Sequence, residues 1–167
     1  MCLQTSLVGW GFFNLLIGIW EIYAFLNRNK LVLENVTIWE KIKSGNITIG
    51  NFWLEAWNEY CKVDSRYIIR PYVWTFELLN ALIAFIFIFI FILGFTNSSR
   101  NIIKILLLLI IINCVIYFIS LGMEILQNDK MKQNIAKYSK QWMLLPYYLI
   151  SSIWLFIPFI LLSFYNW

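Results

Sequence analysis

Trp57-Asn-Glu-Tyr-Cys-Lys-Val-Asp-Ser-Arg-Tyr67 is the stretch on which the reading of this chain turns. It packs two acids, two bases and three aromatics into eleven residues. The rest is mostly hydrocarbon, with one long apolar run before the stretch and three after it. Charge beside lipid is costly unless it is paired or wet. The segment therefore reads as the seal at one end of a membrane-embedded helical bundle. Glu59, Asp64 and Arg66 are expected to form an ion-pair and hydrogen-bond network with the helix ends.

The composition agrees. Of 167 residues, 61% are hydrophobic, 19% aromatic and only 13% charged, which suits one domain in a membrane and not a water-soluble one. Histidine is absent, which removes the commonest neutral-pH acid–base group and the commonest metal ligand. Cys2, Cys61 and Cys114 are far apart and odd in number, so neither a disulfide framework nor a metal site is expected, and no cofactor. The net charge of +4 forms no basic stripe, which speaks against nucleic acid as a partner.

Outward from the signature, the sequence predicts an all-α integral membrane fold. Four transmembrane helices are expected, at about 7–26, 71–95, 102–121 and 142–165, with a long amphipathic loop between the first two. Each is about one bilayer thickness long. In the first, Gly9, Gly11 and Gly18 allow close helix approach, and Asn14 suits an interhelical hydrogen bond. Glu21 lies seven residues beyond Asn14 and reads as reaching water at the helix end. Within the loop, 36–43 and 51–62 carry helical patterning, and Asp64-Ser65 supplies a turn.

The second membrane helix opens on Pro71 and carries Glu77 and Asn80 one turn apart. A carboxyl in such a helix is a functional-site candidate, or else the partner of Arg66 or Arg70 at the bundle mouth. Residues 96–101 read as a tight polar turn and 123–141 as a second polar loop. Asn113, Cys114, Tyr117 and Ser120 fall near one face of the third helix. Ser151, Trp154 and Pro158 occupy the middle of the fourth.

The loop between the first two helices holds seven Lys and Arg and the loop before the last helix holds four, against Arg100 and Lys104 on the other face. The positive-inside rule puts the signature on the cytoplasmic or matrix side. The N-terminal run lacks a basic lead and a cleavage site, and reads as a retained helix.

The stretch Trp57-x-Glu59-Tyr60-x-Lys62-x-Asp64-Ser65-Arg66-Tyr67 resembles the signature of the EXPERA family, which includes the emopamil-binding sterol isomerases and the sigma-two receptor. Glu77, Trp20, Tyr117 and the run Ser151-Ser-Ile-Trp154-Leu-Phe-Ile-Pro158 match further family positions. The resemblance implies a four-helix core around a pocket for a flat hydrophobic ligand, with membrane lipid or sterol as partner. Asn14, Glu77, Asn80, Tyr117, Ser151 and Trp154 are the pocket residues it suggests. It implies the endoplasmic reticulum as location.

Where the isomerases carry a His and a Glu one turn apart, this chain has Asn14 and Gly18. Losing a positioned acid or base costs about 10²–10⁴ in rate, so the standard isomerase chemistry is expected to be lost. Three readings follow: a non-catalytic pocket protein, an accessory subunit of a larger membrane complex such as one of the mitochondrial inner membrane, and an isomerase working with Glu77 and Glu21 instead. No catalytic residue is assigned.

Overall fold

The computed structural model describes residues 2–93, 97–129, 132–133 and 144–164. Among them helix is the dominant element and no strand occurs. In chain order the helices are α1 (Cys2–Leu26), α2 (Ile38–Lys43), α3 (Ile49–Val63), α4 (Arg66–Ile69), α5 (Trp74–Leu93), α6 (Asn97–Gln127) and α7 (Leu144–Phe164). Among the described residues, three apolar stretches are long enough to cross a membrane: Thr5–Leu26 in α1, Pro71–Leu93 in and just before α5, and Ser99–Gln127 in α6. The apolar part of α7 among the described residues, Ser151–Ser163, is shorter.

The long helices form a sequence of neighbours. α1 packs along α5, α5 against α6, and α6 against α7, while α3 touches both α1 and α7. Large apolar side chains such as Leu16, Ile19, Phe89, Ile112 and Phe159 point outward and are half-exposed or more. That is the surface a bilayer would solvate, since lipid tails are as apolar as these side chains. Gly18 is the tightest crossing: a Cβ there would sit 3.0 Å from the Ala81 Cα. Gly11 faces the Phe87 and Ile88 side chains, but Gly9 has nothing within 4 Å, so it is not a contact glycine.

Two core layers result. Far from the signature, Leu7, Ile83, Phe87, Ile103 and Leu107 belong to a mainly aliphatic layer that also includes Trp10. At the signature end, Trp57, Tyr67, Trp74, Tyr117 and Leu121 make an aromatic one. Trp57 lies within 5.4 Å, ring to ring, of Trp20, Tyr60, Tyr67 and Trp74.

The segment between α1 and α5 is folded, and its helices have identifiable starts and stops. Glu40 caps α2 by accepting from the Thr37 backbone N–H at 2.7 Å, while Thr37 Oγ1 accepts from Glu40 N at 3.2 Å. Gly45, at φ +72°, follows α2 in the left-handed conformation that favours glycine. α3 then lies over the end of α1, where Trp20 Nε1 donates to Trp53 O at 3.1 Å and Tyr23 Oη donates to Gly50 O.

Two boundaries differ from the hydropathy reading. Residues 97–101 are the first turn of α6, not a turn between helices, and α6 runs on to Gln127 instead of ending near 121. A helix need not stop where its apolar run stops; here Glu124, beyond the run, meets Arg70 at 3.0 Å and accepts from the Asn128 side chain. The expected ends at Phe95, Trp142 and Tyr165, and most of the expected loop 123–141, lie outside the described residues.

Candidate functional site

Between the two core layers lies a cavity of about 280 Å³, near the lower end of what small-molecule pockets span. Its walls are one stretch from each long helix: Phe13, Ile17 and Glu21 of α1, Phe76, Glu77 and Asn80 of α5, Asn113, Tyr117 and Phe118 of α6, and Ser151 and Trp154 of α7. Trp57, Glu59 and Tyr60 of α3 close the end nearest the signature.

Five of the six residues suggested for the pocket thus line it: Glu77, Asn80, Tyr117, Ser151 and Trp154. Asn14 stands behind the wall, where its Oδ1 accepts from Trp154 Nε1 at 2.9 Å and its amide donates to Trp10 O. The interhelical bond expected of Asn14 is present, and it fixes the indole that forms one wall. Gly18 is spent on the α1–α5 crossing.

The signature residues divide. Asp64 and Arg66, both fully buried, form a bidentate pair at 2.8 and 2.7 Å. Asp64 also accepts from Arg66 N at 3.1 Å and from Tyr117 Oη at 2.6 Å, and Arg66 donates to Ser120 Oγ at 2.9 Å. A buried ion pair survives when its remaining hydrogen-bonding capacity is filled, and here most of it is. Glu59 pairs with Lys62 at 2.5 Å and also accepts from Ile38 N, while Lys62 donates to Val36 O; together they pin the start of α2 to α3. Ser65 is buried in the turn, and Tyr67 O accepts from Trp74 Nε1. Trp57, Glu59 and Tyr60 are cavity wall as well as seal, a role the motif by itself did not distinguish.

Two expectations about carboxylates are overturned. Glu77 does not pair with Arg66 or Arg70, because Arg66 is taken by Asp64 and Arg70 by Glu124. Instead Glu77 accepts from Tyr67 Oη and shares the cavity wall with Glu21. Glu21 does not reach water. It is 5% exposed, and the α3 residues Trp53 and Trp57 pack on the neighbouring Trp20 and cover that end of α1. The two carboxyl groups thus face a mainly apolar, aromatic space.

Thiol chemistry has no support at the mouth. Burial pushes the Cys61 thiol well up, and nearby Asp64 pushes it further, so Cys61 stays protonated and unreactive.

Comparison with models of protein families, with characterised proteins and with solved structures finds no match to this chain.

Proposed function

We propose that this chain is an EXPERA-like integral membrane protein, with α7 as a fourth span, that binds one flat hydrophobic molecule of lipid or sterol shape inside the bundle. The observation that carries this reading is the presence of Glu21 and Glu77 together on the wall of a mainly apolar cavity. Polar groups in a membrane interior are expensive, and a pair kept there suits a ligand with a positive or proton-donating point among its hydrocarbon. Trp154, Tyr117 and Phe76 bring aromatic rings to the same wall, and aromatic rings also favour cationic character.

The test is binding by the purified full-length protein in nanodiscs. A sterol analogue bearing a ring amine should bind more tightly than its neutral parent, and Glu77→Gln should remove most of the difference. Equal binding of amine and parent by the wild-type protein would contradict the role given to the carboxylates.

A second reading is favoured by the burial of Glu21. Two carboxyl groups on one cavity wall, one protonated and one ionised, could move a double bond: the first protonates an alkene carbon, giving a carbocation, and the second removes a proton from an adjacent carbon, so the pair ends with as many protons as it began. Expression in a cell lacking sterol isomerase tests this. Conversion of the accumulated sterol supports it, and no conversion by the folded protein ends it.

A further inference from the structure

One turn deeper than Glu77 and Tyr117, the cavity holds a second polar feature. Asn113 is 5% exposed, and its Nδ2 donates to the Phe76 backbone carbonyl at 3.0 Å and to Asn80 Oδ1 at 2.9 Å. Those two bonds orient both amides. A backbone carbonyl only accepts, so the group Asn113 turns toward it must be the NH2. That NH2 in turn requires the oxygen of Asn80. Both hydrogens of Asn113 Nδ2 are then used. Asn113 Oδ1 and Asn80 Nδ2 have no hydrogen-bond partner among the described residues, and both side chains line the cavity.

An amide oxygen and an amide N–H on neighbouring side chains of the cavity wall suit a group that donates to one and accepts from the other. A ketone or ether only accepts and would leave Asn113 Oδ1 unfilled. An ammonium only donates and would leave Asn80 Nδ2 unfilled. A carboxylate likewise only accepts and would leave Asn113 Oδ1 unfilled. A hydroxyl is the smallest group that does both.

We propose that Asn80 and Asn113 form a hydroxyl-binding subsite, and that the ligand is a flat hydrophobic alcohol whose hydroxyl sits one turn below the carboxylate pair. This rests on the reading of the cavity as a ligand pocket. It goes further in fixing one functional group of the ligand and the two residues that recognise it.

The test measures equilibrium binding of cholesterol and of cholest-5-ene, which lacks the hydroxyl, to the full-length protein in nanodiscs. The wild-type protein should prefer cholesterol by about three- to tenfold, the span of one or two neutral hydrogen bonds. Asn80→Ala, which leaves the Asn113–Phe76 bond in place, should lower cholesterol affinity to that of cholest-5-ene and leave cholest-5-ene unchanged. Equal binding of the two compounds by the wild-type protein overturns the subsite while the pocket stands. So does equal weakening of both by Asn80→Ala. Binding of neither compound overturns the pocket reading and the subsite with it. The wild-type comparison keeps the test decisive even if the variant fails to fold.

Discussion

Trp154 donates its indole N–H to Asn14 Oδ1 at 2.9 Å, across 140 positions of sequence, and so closes the seam between α1 and α7. The same indole has Phe13 at 5.7 Å and Trp10 at 6.2 Å, ring to ring. One hydrogen bond and two aromatic contacts thus hold the wall of the cavity on the side where the long-helix neighbours do not otherwise pack closely.

Asn14→Leu should leave the Trp154 N–H without its acceptor and destabilise the protein by about 1–3 kcal/mol, the usual cost of an orphaned buried donor. Trp154→Phe removes the donor and some ring area. A double-mutant cycle in detergent, read by thermal unfolding, should return a coupling of about 1 kcal/mol between the two positions. Strict additivity would mean that the bond contributes nothing to stability.

Arg66 is the most committed charge in the molecule. Arg66→Ala would leave Asp64 buried at 0% exposure without its bidentate partner, and should cost about 3–5 kcal/mol. Arg70→Ala, whose side chain is 48% exposed, should cost no more than about 1 kcal/mol. Chemical denaturation of the two variants side by side checks the contrast.

Glycine positions in α1 should separate sharply. Gly18→Leu places a side chain against the Ala81 backbone and should cost about 1–3 kcal/mol through overpacking or displacement of α5. Gly9→Ala meets nothing within 4 Å and should be neutral or mildly stabilising. Melting temperatures in one detergent decide the matter.

Most of the architecture could be read before any coordinates. The apolar runs announce α1, α5 and α6, and the helical spacing of Trp53, Trp57 and Tyr60 announces α3. What could not be read is which way polar residues in the long helices face. α1 is apolar nearly all round, so its pattern has no strong side, and Glu21, near one end, reads as wet. It is dry because α3, joined to it by a loop of uneven polarity, folds back over Trp20. The seven-residue spacing from Asn14 to Glu21 was the available signal, since it places both on one face. The Asn80–Asn113 pairing needed the relative depth of two antiparallel helices, which no single-sequence pattern supplies.

The α2 cap should respond to acid. Glu40 has its carboxyl below the ordinary range because it accepts from the Thr37 backbone N–H and hydroxyl, with Lys62 and Lys43 adding attraction, against a small effect of burial. A carboxyl depressed in the folded state contributes stability above its unfolded value, and that contribution is lost as pH falls through the folded one. Carbon-13 NMR titration of the Glu40 carboxyl should show a midpoint below that of an unstructured Glu. Thr37→Ala should raise that midpoint, and an unchanged midpoint would remove the cap from the account.

The claim everything else serves is that the space between α1, α5, α6 and α7 holds a ligand. Photo-crosslinking with a diazirine-bearing sterol in native membranes, followed by peptide mapping, tests it most directly. The account predicts label on cavity residues such as Phe76, Tyr117, Phe118 and Trp154, reduced by excess unlabelled sterol. Label confined to outward residues such as Leu16, Ile19 and Phe89, and insensitive to competitor, would contradict it.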